Sequence, residues 1–185
     1  AIVCVGAKQG AEAHAVGHRI NALLGSVGKT VTYTEEPATE GMNDLKDLTA
    51  EMNAGQVQLL LILGGNPSYD APADLGFGKA LSQVGTSVHL SEYRDETSLL
   101  SNWHVNRAHY LESWGDARSY DGPICNVQPQ IEPPYKGKTV LDLLVLALGG
   151  KETSQDVVQA VAKGYLANAG DFGRAWRKVL HDGFV

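Results

Sequence analysis

Val57-Gln58-Leu59-Leu60-Leu61-Ile62-Leu63 runs without a break into Gly64-Gly65-Asn66-Pro67. A short apolar run closed by turn residues reads as a strand buried on both faces, as parallel strands between helix layers are. Glycines directly after such a strand let backbone come close to a ligand, and open α/β sheets bind ligands at these carboxyl ends. Asn66 and Pro67 add the chemistry of a tight turn. The four residues therefore read either as a ligand-binding loop or as a plain strand-to-helix turn.

Outward from this segment, strand and helix signals alternate. Ala1–Val5 is apolar and stops at Gly6, a second buried strand. Ala13, Val16, Ile20 and Leu23 share one face of a helix ended by Gly25 and Gly28. Val31–Thr34 and Thr86–Leu90 read as strands, and Asn43 as the cap of a helix carrying Leu45, Leu48 and Met52. Pro72 suits the first turn of a helix that turns Leu75, Phe77 and Leu81 inward. Thr139–Leu148 is an apolar helix, Thr153 and Asp156 form a capping box, and Asp171 caps a last helix with Phe172, Trp176 and Leu180. Residues 98–137, rich in aromatics, His and Pro, show no sustained period and read as an exposed, irregular docking surface with His104 at its outside. The alternation predicts an α/β fold with a Rossmann-like three-layer parallel sheet over residues 1–150 and a C-terminal helical extension over 151–185.

Composition narrows the function classes. The chain has 185 residues, enough for one domain with its own core, and a formal net charge of −6. That charge argues against nucleic acid or an anionic membrane as partner, since both require clustered Lys and Arg. Only Cys4 and Cys125 are present, so no four-thiolate iron–sulfur cluster and no Cys-based zinc site is expected within this segment. No apolar run reaches the roughly 18 residues of a membrane span. The abrupt start on a strand reads as a domain taken from a longer protein.

Three further motifs have ordinary readings. Gly25-Ser26-Val27-Gly28-Lys29-Thr30 lacks the spacing of a phosphate loop and follows a helix rather than a strand, so it reads as a glycine helix stop. His14 and His18 share a helix face, but no Glu follows His14 and no third ligand is evident, which leaves an exposed polar face. His104, His109 and Glu112 offer a His–carboxylate pair without a recognisable nucleophile elbow, so no catalytic residue is assigned.

Taken in order, Gly64-Gly65-Asn66-Pro67, Glu96-Thr97, Glu112, Gly115, Gly122 and Gln128 resemble the pattern of the molybdopterin oxidoreductase family in its nucleotide-fold domain, and Ile20-Asn21 through Gly25 to Gly28 is similar to an earlier helix end of that family. The resemblance is closest to the fused molybdopterin-like and iron–sulfur subunits of quinol:cytochrome c oxidoreductases, the alternative complex III branch. It is carried by Trp103 to Glu112, Trp114, Asp116 to Gly122, and Asp171-Phe172 through Trp176 to Leu180-His181-Asp182-Gly183. Ser101-Asn102 and Val105-Asn106 stand where cofactor-holding members carry Ala-Asp and Leu-Pro.

The resemblance implies a non-catalytic scaffold within an electron-transfer subunit on the periplasmic side of a bacterial membrane complex. Gly64, Gly65, Asn66 and Pro67 would then be a vestigial nucleotide loop. No cofactor and no metal is expected in this segment, with iron–sulfur clusters elsewhere in the parent. Other domains of the parent chain and membrane-complex subunits would be the partners, with neither nucleic acid nor direct membrane insertion. Two alternatives stand beside it: a working domain that grips molybdopterin guanine dinucleotide, and a binding module for another small ligand.

Overall fold

The computed structural model describes residues 1–33, 44–119 and 122–185. Thr34, Asn43, Tyr120 and Asp121, each part of a sequence expectation, lie outside the described residues. The chain divides into two compact units, residues 1–38 with 120–122, and 39–119 with 123–185.

In the first unit, α1 (Ala11–Leu23) forms where it was expected and Gly25 follows its C-cap at φ +63, but the residues it buries are Gly17 and Asn21, while Val16, Ile20 and Leu23 are exposed. The expected strand Ala1–Val5 is absent, because its backbone has another partner. The Asn21 side-chain amide accepts from Val3 N and donates to Val3 O, both at 2.8 Å, and so makes the two bonds a neighbouring strand would make. In place of the expected strand at Val31 there is a single bridge to Val27.

The second unit is α/β. Its centre is a parallel sheet in the order β1 (Leu59–Leu63), β2 (Thr86–Ser91), β3 (Trp103–Asn106). Helix α2 (Leu45–Asn53), capped by Asp44, precedes β1. After β1 come the one-turn α3 (Pro67–Asp70), a 3-10 turn at Ala73–Leu75, and α4 (Phe77–Leu81). The continuous helix expected from Pro72 is therefore two short pieces, because Gly76 breaks the chain at φ +59. Met52, Ile62, Phe77, Ala80, Leu81 and Val84 form the core between α2, β1 and α4.

Residues 98–137 are more regular than their composition suggests. They hold the end of α5 (Glu96–Leu100), strand β3, a 3-10 turn at Tyr110–Glu112, and the antiparallel pair β4 (Gly115–Arg118) and β5 (Ile124–Val127). Trp103 and Tyr135 are exposed, at 66% and 81%, whereas Trp114 is half-buried and stacks on Trp176 with ring centroids 6.4 Å apart. Helices α6 (Val140–Ala147), α7 (Ser154–Tyr165) and α8 (Phe172–Asp182) follow, capped by Thr139, Thr153 and Asp171. Val158, Ala162, Trp176 and Val179 make a second core, with Trp114, Leu141 and Phe172 packed against it. Among the described residues no helix is long and apolar enough to cross a membrane.

Candidate functional site

The loop after β1 occupies the carboxyl end of the parallel sheet. Gly64 and Gly65 both take positive φ, +91 and +72, values that side-chain-bearing residues rarely adopt. Asn66 precedes α3, and Pro67 sits in its first turn, where a missing N–H costs nothing.

Gly65 and Asn66 are each held by side chains from elsewhere in the same unit. The Asn66 carbonyl oxygen accepts from Thr97 Oγ1 at 2.7 Å and Thr97 N at 3.2 Å, and its amide donates to Glu96 Oε2 at 2.6 Å. That amide bond holds the Glu96 carboxyl below the usual carboxylate range. Thr97 is fully buried, and its hydroxyl also accepts from Ser68 N at 2.9 Å. The Gly65 carbonyl accepts from His89 Nε2 at 3.0 Å. Above Gly64 lies the Arg107 guanidinium, with Nη1 2.5 Å from where a Cβ would stand.

His89 is the centre of this polar layer. It lies on β2, is wholly buried, and was not singled out by sequence reasoning; a histidine inside the apolar run Val88-His89-Leu90 is the signal that could have found it. Its Nδ1 lies 2.9 Å from Ser98 Oγ, which in turn lies 3.0 Å from both Asp95 Oδ1 and His104 Nδ1. His104 is thus a member of a polar network rather than an outward-facing group. Asp95 caps α5 by accepting from Ser98 N at 2.9 Å and also accepts from Ser91 Oγ at 3.2 Å. Burial raises the Asp95 proton affinity, but the Ser98 backbone and hydroxyl bonds, His89 and Ser91 together outweigh it and hold the carboxyl below its ordinary value.

Asn102 and Asn106 are far apart in role. Asn102 lies at the amino ends of the strands, where its Oδ1 accepts from Ser87 N at 2.7 Å and from Ser87 Oγ at 3.0 Å. It therefore does not adjoin the Gly64–Pro67 loop. Asn106 lies at the carboxyl end and lines a cleft of about 250 Å³ with Tyr93, Arg107, His109, Glu112 and Tyr135. His109 and Glu112 serve the turn between them, with Glu112 Oε2 accepting from His109 N at 3.2 Å.

In the first unit, His14 and His18 are not brought to a common ligand; His18 Nδ1 meets Tyr33 Oη at 2.9 Å. Among the described residues no three His, Cys, Asp or Glu side chains gather as a metal-ligand set. Cys4 and Cys125 are separate, exposed thiols. The chain matches no protein-family model and no curated protein.

Proposed function

We propose that the chain is a non-catalytic scaffold domain of an electron-transfer oxidoreductase subunit, like that of the molybdopterin oxidoreductases and closest to the alternative complex III branch. In this reading residues 1–150 are a Rossmann-like three-layer domain, and 151–185 lead toward a downstream domain. Iron–sulfur clusters stand elsewhere in the parent, whose other domains and membrane-complex subunits are the partners. The observation that supports it is the self-occupied loop. The Asn66 oxygen carries two donors from Thr97, the Gly65 carbonyl is taken by His89, and Arg107 covers Gly64. A nucleotide-gripping loop turns backbone N–H groups and open space to the ligand, and here the Arg107 guanidinium stands over Gly64 instead. On that ground the residues do not fit a pterin guanine dinucleotide, and no reaction step is assigned to the chain.

A second reading, a small-ligand module, is supported by the cleft beside Arg107, where the exposed Tyr93 and Tyr135 rings flank a guanidinium and the Glu112 carboxylate. Mass spectrometry of small molecules released from the full-length parent, with metal analysis, tests both. Iron without pterin or molybdenum is expected. One pterin guanine dinucleotide per chain would overturn the scaffold reading, and a different stoichiometric organic ligand would favour the second.

A further inference from the structure

The hydroxyl of Ser98 has more neighbours than one proton can serve. Its oxygen lies 2.9 Å from His89 Nδ1, 3.0 Å from His104 Nδ1, 3.0 Å from Asp95 Oδ1 and 3.3 Å from the Tyr93 carbonyl oxygen. Each contact of that length needs its own hydrogen. An ionised Asp95 has none to give, so a hydrogen between Ser98 and Asp95 has to come from Ser98. His104 can bring one on Nδ1 while remaining neutral. His89 cannot, because the Gly65 carbonyl accepts only, so His89 Nε2 already carries the hydrogen of that 3.0 Å bond. With His89 neutral, Ser98 has one hydrogen for His89, Asp95 and the more distant Tyr93 carbonyl, so at least one of the two shorter contacts is left without a hydrogen.

We propose that His89, Ser98, Asp95 and His104 form a proton-operated switch beneath the Gly64–Pro67 loop. Taking up one proton from water on His89 Nδ1 turns the Ser98 hydroxyl from His89 to Asp95. No covalent bond other than the new N–H forms, and no hydrogen bond is lost. The unloaded state is a chain of neutral donors, in which Ser98 donates to His89. The loaded state is an internal ion pair, His89 with Asp95, whose Nδ1 and Oδ1 are already 3.5 Å apart. The charged and titratable groups facing His89 are Asp95, ahead of α5, and His104 on the paired position of β3. Glu96 and Arg107 stand one step further out, at Asn66 and over Gly64. Through the His89–Gly65 bond, the proton is registered at the loop itself.

The test is an imidazole-nitrogen and carbonyl-carbon NMR titration of the full chain between about pH 4 and 9, the range in which histidines change charge. His89 is expected to carry hydrogen on both nitrogens at the acid end and on Nε2 alone after it releases one. The Asp95 carboxyl and Gly65 carbonyl carbons are expected to shift with the same midpoint as His89. In His89→Gln, both shifts at that midpoint are lost. Three results would each overturn the proposal: an Nδ1–H tautomer of neutral His89, no change of His89 across the range, or the same carbon shifts persisting in His89→Gln. If that variant fails to fold, the tautomer and the shared midpoint in the natural chain decide alone.

Discussion

Replacing Asn66 by Ala removes the acceptor on which the buried Thr97 rests. Two donors lose their partner at once, Thr97 N and Thr97 Oγ1, and Thr97 has no contact with solvent to replace it. A buried polar group left without a partner costs about 1–3 kcal/mol. The hydroxyl keeps its bond from Ser68 N, so it is the cheaper of the two to orphan. The sum is about 2–4 kcal/mol for Asn66→Ala, or a drop in midpoint on the order of 10 °C for a domain of this size. The exposed Glu96 bond is left out of this figure. Asn66→Asp keeps an acceptor for Thr97 but sets a second carboxylate against Glu96, so part of its loss should return when Glu96→Gln is added. Urea unfolding followed by circular dichroism of the three variants is the assay. A loss under about 0.5 kcal/mol for Asn66→Ala would show that Thr97 does not depend on this loop.

Gly65→Val is expected to cost about 1–3 kcal/mol, because φ +72 is strained for a β-branched residue, and to exceed the cost of His104→Ala in a thermal-melt comparison. Trp176→Ala should cost about 3–5 kcal/mol by opening a cavity between Trp114 and Phe172, with Trp176→Phe clearly milder in urea unfolding. Asp142 is also depressed: burial raises its proton affinity, but the Ser154 hydroxyl and the Thr139 bonds outweigh that. A depressed carboxylate stabilises the fold above its unfolded value near 3.8, and that contribution is lost as pH falls through the lower folded value. Stability measured from pH 5 downward should therefore fall in the natural chain, and Asp142→Asn should flatten that fall.

Elements whose physics is local were legible in the sequence. Leu59–Leu63 announced itself as a strand by an apolar run, although Leu59 and Leu63 are exposed rather than buried, and Thr153, Asp156 and Asp171 announced themselves by cap chemistry set within a few residues. β3 was not legible: four residues, two of them His104 and Asn106, give no period, and the strand exists because β2 pairs with it. Ala1–Val5 failed in the opposite direction, since its composition is that of a strand while its partner is one amide side chain. Of the site, Gly64–Pro67 was visible as turn chemistry. The groups that fill it, Thr97, His89 and Arg107, lie from 24 residues (His89) to more than 40 residues (Arg107) away along the chain, and only the fold brings them there.

Asn102 and Ser98 tie β2 to β3 at two places, one gripping Ser87 at the amino end and the other joining His89 to His104 two residues further along. Strands this short carry little information about their own alignment, because a slip by one residue would still offer hydrogen bonds of the same kind. It would also turn His89 onto the opposite face and part Ser87 from Asn102, leaving several polar groups in the interior without partners. The alignment is therefore written in side chains as well as in the ladder itself. Of the alignments open to these strands, this one joins Ser87 to Asn102 and His89 to His104 through their side chains.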